Sequence, residues 1–166
     1  MVKIKYLLMG ALIVIIGIVF AVTVFPSEEK KVKKRFDLLS EWVSKSPEEN
    51  PFTMLQKMKD IGTLFLDPCE LKAPNESLSG SYTRQEISAY TGSARSHFSK
   101  LDFKFYDLRI AFPEKVIAKV TLTARLTGKS ATGEQVDEIR ELECLLKKID
   151  KKWFFNQIEV IEVLKK

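Results

Sequence analysis

Histidine and cysteine are nearly missing from this chain. One His and two Cys in 166 residues leave too few imidazoles and thiolates for a zinc site, which draws its ligands mostly from those two residue types. Glycine and proline are sparse too, at seven and six, which excludes collagen-like and linker-like chains. There is no G-x-G-x-x-G, no P-loop, no H-E-x-x-H and no G-x-S-x-G, so the sequence signatures of dinucleotide, nucleotide, zincin and serine-hydrolase chemistry are absent. No motif implies a cofactor. Charge is not one-sided. Of the net +5, two units come from Lys3 and Lys5, leaving +3 over residues 27–166 with basic and acidic residues intermixed. That argues against a nucleic-acid surface. What remains is a globular composition, 45% hydrophobic and 30% charged, long enough for one domain.

One long apolar run stands out. Tyr6 to Phe25 carries no charge and is closed by Pro26. Twenty residues at about 1.5 Å each span roughly 30 Å, the hydrocarbon thickness of a bilayer. The run exceeds the apolar core of a cleaved signal peptide, and no A-x-A site follows it. It is apolar on every face, unlike a core helix. The expected arrangement is therefore an N-terminal transmembrane anchor at 1–26, embedded in the lipid bilayer through residues 6–25, followed by a domain at 27–166. Orientation has two readings. Lys30, Lys31, Lys33, Lys34 and Arg35 follow the span and favour a cytoplasmic domain. The short tail with Lys3 and Lys5 resembles the start of an export signal and favours a single-pass protein of a bacterial inner membrane with a periplasmic domain. Export is the reading preferred here. The basic run could lie on anionic headgroups, or form the solvated turns of a helix whose stripe is Val32, Phe36, Leu39 and Val43.

After Pro26 the first half reads as helices and the second as strands. Ser27 is an N-cap and Glu28 and Glu29 suit a first turn. Pro47 stops that helix. Asn50-Pro51 starts the next, with a face of Met54, Leu55, Met58, Ile61 and Phe65 and an end at Asp67-Pro68. Residues 69–72 suit a short strand and 73–80 a turn. Asn75-Glu76-Ser77 matches a glycosylation sequon, a pattern frequent by chance. Thr83-Arg84-Gln85-Glu86 is a capping box opening a third helix with Ile87, Tyr90, Ala94, His97 and Phe98 near one face; Gly92 weakens it. Strands are expected at 101–112, 115–127, 136–148 and 153–164, the last two joined by a tight turn at Ile149-Asp150-Lys151-Lys152. The second of them alternates well, with Val116, Ala118, Val120, Leu122, Ala124 and Leu126 on one face. Helices followed by sequential long strands predict an α+β domain with an antiparallel sheet.

This order, closed by Lys151-Lys152-Trp153-Phe154-Phe155, resembles the nuclear transport factor 2-like (SnoaL-like) superfamily over residues 28–166. The resemblance implies a cystatin-like cone, a curved antiparallel sheet wrapped round three helices. That superfamily holds isomerases, dehydratases, epoxide hydrolases, assembly domains and membrane-anchored secretion components, so it implies a fold and not one activity.

By strand alternation Trp153, Phe155, Gln157, Glu159 and Ile161 share a face of the last strand, and the resemblance makes it the pocket face. Tyr90, Gln157 and Glu159 are the pocket candidates. Glu159 in an apolar cone would have a raised pKa and act as a general base; the plainer reading is a rim carboxylate paired to a cation. His97 is either a proton-transfer partner of Glu159 or Asp107, or a helix-end residue. Asp107 and Arg109 share a strand face, and Tyr82 and Tyr90 offer hydroxyls. No second catalytic group accompanies Glu159, so the sequence favours a non-catalytic, membrane-anchored binding or assembly domain. The alternative is an enzyme of isomerase, dehydratase or hydrolase type acting on a small apolar molecule. Cys69 and Cys144 are expected to stay unbridged, because in the resembling fold the last strand lies between their strands. Phe154, Ile158 and Val160, with Ile139 and Leu145 on the neighbouring strand, predict an apolar outer face suited to a homodimer. A β-bulge in the last strand would instead turn Ile158 inward.

Overall fold

The computed structural model describes residues 27–73 and 79–163. The expected span at 6–25 and the sequon at 75–77 lie outside them. Among the described residues no helix is long and apolar enough to cross a membrane. The chain divides between Lys31 and Val32. Before the division, Ser27 caps helix α1 (Glu28–Val43) through a bond from Lys30 N to its Oγ at 3.3 Å.

From Val32 onward the order is α1, α2 (Pro51–Gly62), β1 (Phe65–Lys72), β2 (Gly80–Tyr82), α3 (Arg84–Ser96), β3 (Phe98–Glu114), β4 (Ile117–Ser130), β5 (Gln135–Ile149) and β6 (Lys152–Val163). The strands form one sheet in the order β2-β1-β6-β5-β4-β3. It is mixed, not purely antiparallel as the sequence suggested, because β1 runs parallel to β6. The α+β class stands. Val32, Phe36 and Leu39 of α1 are buried on the inner face with Ala118, Val120, Leu122, Ala124, Leu142, Cys144 and Leu146. Phe36 meets Phe105 and Phe155 edge to face at 5.3 and 5.0 Å. β4 alternates as expected, and its pairing with β5 runs without a slip, Val120 opposite Cys144 and Leu122 opposite Leu142.

Two boundaries differ from the sequence reading. α2 ends at Gly62, not at Asp67-Pro68. Thr63 closes it with N–H and Oγ1 bonds to Asp60 O at 3.0 and 2.6 Å. Phe65 then enters the sheet opposite Phe155, so strand pairing overrides the helical spacing that put Phe65 on the helix. Leu55, expected on the packed face, is exposed, as is Phe52. α2 packs on α3 instead, and closely: a Cβ on Gly62 would meet Ser88 Oγ at 2.8 Å, and one on Gly92 would meet Met58 Sδ at 3.2 Å. Gly92 thus admits Met58 at the crossing of two helices.

The end of α3 is held by buried charge. Arg95, 1% exposed, donates from Nε to Val43 O at 2.9 Å and from Nη2 to Ser44 O at 2.9 Å and to Glu49 Oε2 at 2.6 Å. Lys57 of α2 reaches Glu49 Oε1 at 2.7 Å. Burial alone would raise the Glu49 carboxyl. The hydrogen bond from Lys57 and the charges of Arg95 and Lys57 outweigh it, so the carboxyl sits below the usual carboxylate range. Lys45 Nζ completes the cluster on Phe98 O at 2.6 Å and Arg95 O at 3.2 Å.

The last strand carries the second correction. The β5–β6 register slips between Leu145 and Leu146, which pair with Gln157 and Phe155 and leave Asn156 extra. Before this bulge Trp153 and Phe155 face the core; after it Ile158 and Val160 do, opposite Cys144 and Leu142. Gln157 and Glu159 turn to the outer face with Leu145 and Glu143. The apolar outer patch is thereby dismantled. Ile158 and Val160 join the core, and the Phe154 ring is covered by the guanidiniums of Arg35 and Arg84 at 5.6 and 5.8 Å. Of that patch only Ile139 and Leu145 stay on the outer face clear of this cover, among the charged pairs Lys119–Glu143 and Arg125–Asp137.

Two substitutions test this account. Arg95→Ala strands the Glu49 carboxylate and should cost about 3–5 kcal/mol in chemical denaturation of the full chain; a loss within experimental error would contradict the clamp. Ile158→Glu should lower stability by about 2–4 kcal/mol without changing the sedimenting mass. A folded variant of wild-type stability would return Ile158 to the outer face.

Candidate functional site

Helix α3 is fixed at both ends, and the space beneath its middle is open. At its start Thr83 N–H donates to Glu86 Oε2 at 2.8 Å and Glu86 N–H to Thr83 Oγ1 at 3.2 Å, the reciprocal capping box read from the sequence. Arg84 Nε donates to Phe65 O at 2.8 Å and ties this end to β1. Arg95 ties the other end. Between the two ties lies a cavity of about 440 Å³ bounded by Ile87, Tyr90, Thr91, Ser93 and Ala94 of α3, by Cys69 and Leu71 of β1, by Tyr82, and by His97. That volume lies within the ordinary size of small-molecule sites.

Its walls are mainly apolar. Tyr82 and Tyr90 meet edge to face at 5.6 Å, and Tyr90 is exposed at the rim. Thr91 Oγ1 is used internally, donating to Ile87 O at 2.8 Å. His97 follows the last turn of α3, its N–H on Ala94 O at 3.2 Å and its carbonyl accepting from Ala131 N–H at 2.8 Å. It is a cap residue, not a member of the helix. The Cys69 thiol is buried, and burial, with the nearby Glu70 charge, pushes its pKa up to about 12. Burial likewise raises Cys144. Both are free, and β6 lies between their strands.

Of the three sequence candidates, Tyr90 lines this cavity and Gln157 and Glu159 do not. The bulge at Asn156 puts those two on the far side of the sheet, where Gln157 Nε2 donates to Glu159 Oε2 at 3.2 Å. Glu159 is therefore not a base in an apolar cone. His97 is in the cavity without Glu159 or Asp107. Asp107 and Arg109 instead border a polar hollow of about 200 Å³ with Thr121, Thr123 and Glu141. Asp107 sits there at φ 55°, where the β3–β4 register slips. Cys69, Leu71, Thr91 and Ser93 were not singled out from the sequence as site residues. The shared parity of Cys69 and Leu71 was the one available signal. Among the described residues no carboxylate borders this cavity, and no three His, Cys, Asp or Glu side chains stand together as metal ligands.

No family model and no curated protein matches the sequence. Solved structures do match. A scytalone dehydratase-like protein from Novosphingobium aromaticivorans DSM 12444 is 17% identical, with 83% of this chain and 85% of that one covered at a TM-score of 0.63. A calcium/calmodulin dependent protein kinase II association domain-like protein from Xanthomonas campestris is 12% identical, with 81% and 87% covered at 0.63. A hexachlorocyclohexane dehydrochlorinase (LinA) type 2 is 9% identical, with 82% and 86% covered at 0.63. These likenesses show the fold, the scytalone dehydratase-like and nuclear transport factor 2-like cone, and carry no activity with them.

The raised thiol gives the site a pH signature. Below about pH 9 both folded and unfolded chains hold the Cys69 proton. Above it the unfolded thiol ionises while the folded one resists up to about 12, so the unfolded chain binds fewer protons and stability falls with rising pH. Cys69→Ala should flatten the alkaline limb of a stability–pH curve between those values. An unchanged limb would mean the Cys69 thiol is not shielded in the folded state.

Proposed function

We propose that the chain is a membrane-anchored, non-catalytic binding domain that takes a small apolar molecule into the cavity beneath α3. The observation that carries this is the lining itself: mainly aliphatic and aromatic walls with no carboxylate among the described residues, and a Thr91 hydroxyl already donated to Ile87 O. Such a surface rewards burial of apolar area and fixes orientation with few polar contacts. The anchor rests on the apolar run at 6–25, which supplies the bilayer contact and, on the export reading, a periplasmic domain of an inner-membrane protein.

A second reading has one observation behind it. His97 borders the same cavity as Tyr90, and two of the fold neighbours carry the names of a dehydratase and a dehydrochlorinase. An imidazole taking the proton from one carbon of a bound molecule, while the leaving group on the next carbon departs with the Tyr90 hydroxyl proton and a double bond forms between the two carbons, would make the cavity that of a lyase. His97→Gln separates the two readings, since a binding domain keeps its ligand and a lyase keeps the ligand but loses turnover.

Filling the cavity tests the main proposal. Ala94→Trp should lower affinity for a naphthalene-based fluorescent probe at least about tenfold, or about 1.4 kcal/mol, with the melting temperature maintained. Unchanged probe affinity in a folded variant would place the probe elsewhere and remove the support for the cavity as a ligand site.

A further inference from the structure

The two hairpins at one end of the sheet combine features that the cavity does not explain. The β3–β4 turn and the β5–β6 turn lie side by side: Lys148 N–H donates to Val116 O at 2.8 Å, Ile117 pairs with Lys147, and the rings of Phe112 and Trp153 are 5.7 Å apart. Three large apolar side chains are exposed there, Phe112, Val116 and Ile149, at 41%, 44% and 42%. Lys115, Lys147, Lys151 and Lys152 flank them in sequence, against two acids, Glu114 and Asp150, while Lys148 lies over the Trp153 ring at 5.7 Å.

The same end holds Arg35 and Phe36 of α1. Arg35 lies over Phe154 and Phe36 packs on Phe155, near the start of β6, whereas further along α1 Ser40 bonds Phe103 O, and just past the end of α1 Lys45 pairs with Leu101 near the start of β3. From Arg35 onward α1 therefore runs away from the hairpins. Six peptide units join Pro26, where the expected span ends, to Val32. At about 3.3–3.6 Å each they hold Val32 within roughly 20–22 Å of the end of the span.

We propose that this hairpin end is a second membrane contact, seated on the headgroup layer of a bilayer containing anionic lipid. It rests on the anchor reading only for proximity; its chemistry is its own. Lysines at the headgroup layer gain about fivefold in partitioning each, the equivalent of about 1 kcal/mol, and exposed aliphatic and aromatic tips enter the interface beside them. The turn supplies an independent pointer. Asp150 and Lys151 have φ of 47° and 66°, the left-handed pair of a type I′ hairpin, where Asn-Gly or Asp-Gly is favoured. A lysine stands where glycine would relieve strain, and on this proposal its charge is the reason.

The experiment uses the full chain mixed with vesicles of phosphatidylcholine alone or with one quarter phosphatidylglycerol, assayed by flotation and by quenching of an Ile149→Trp fluorophore with dibromo-phosphatidylcholine. Flotation on both vesicle types, with added quenching only where phosphatidylglycerol is present, supports anchor and surface together. Flotation on both without that quenching overturns the surface and leaves the anchor. Flotation only on anionic vesicles, with quenching, keeps the surface and overturns the anchor; flotation on neither overturns both. Lys151→Gly, made in the Ile149→Trp chain, adds a readout that a merely structural turn would not move. It should raise the denaturation midpoint while reducing the anionic-lipid quenching severalfold. A raised midpoint with unchanged quenching would count against Lys151 as a lipid contact.

Discussion

The buried guanidinium of Arg95 is the interaction on which the arrangement of the three helices depends. It joins the carbonyls that end α1, the carboxylate of the α1–α2 link and, through Glu49, the Lys57 ammonium of α2. A charge taken out of water is tolerated only when partners replace its solvation, and these partners come from three separate segments. None can move without exposing another to an unpaired state. α3 is thereby fixed at its C-terminal end, while Arg84 on Phe65 O fixes the other. The cavity lies between these two ties.

The bulge at Asn156 is the second constraint, and a single extra residue decides two surfaces. A strand with strict alternation would carry Trp153, Phe155, Gln157 and Glu159 on one face. It would put a carboxylate under the helices and leave Ile158 in water. The slip reverses the parity halfway. The core gains Ile158 and Val160 beside Cys144 and Leu142, and the outer face gains Gln157 and Glu159 beside Glu143. An apolar cavity without a carboxylate and an outer face without its expected apolar stripe are consequences of the same insertion.

What could be read in advance was what local chemistry decides. The Asn50-Pro51 start, with Thr53 N–H on Asn50 Oδ1 at 2.8 Å, the capping box at Thr83, the alternation of β4 and the turn at Asp150-Lys151 all depend on neighbours within a few residues. The cone fold itself followed from element order. The misreadings have tertiary causes. Phe65 has helical spacing but a strand partner, Leu55 has core character but no sheet beneath it, and a bulge has no composition of its own when no glycine marks it. Arg95 gave no warning either, because an arginine in an exposed-looking helical stretch is nearly always solvated. Part of the candidate site was therefore visible, Tyr90 as a pocket candidate with Tyr82 and His97 weighed beside it, but not the wall formed by Cys69 and Leu71.

The two ends of the sheet suit different surroundings, and the topology keeps them apart. β1 enters the sheet with Phe65 opposite Phe155, near the β5–β6 turn, and reaches Leu71 only opposite Ile158. From Cys69 and Leu71 the cavity runs toward His97, which immediately precedes β3 at the end of the sheet far from both hairpins. The lysine-rich turns and the cavity thus lie at opposite ends of the same strands. Seating the hairpins on a charged interface would leave the Tyr90 rim in water, and a ligand in the cavity would not displace the lysines. Membrane contact and ligand capture would then compete for neither surface nor charge. On these two proposals the cavity end works by burial of apolar surface and the hairpin end by placement of charge.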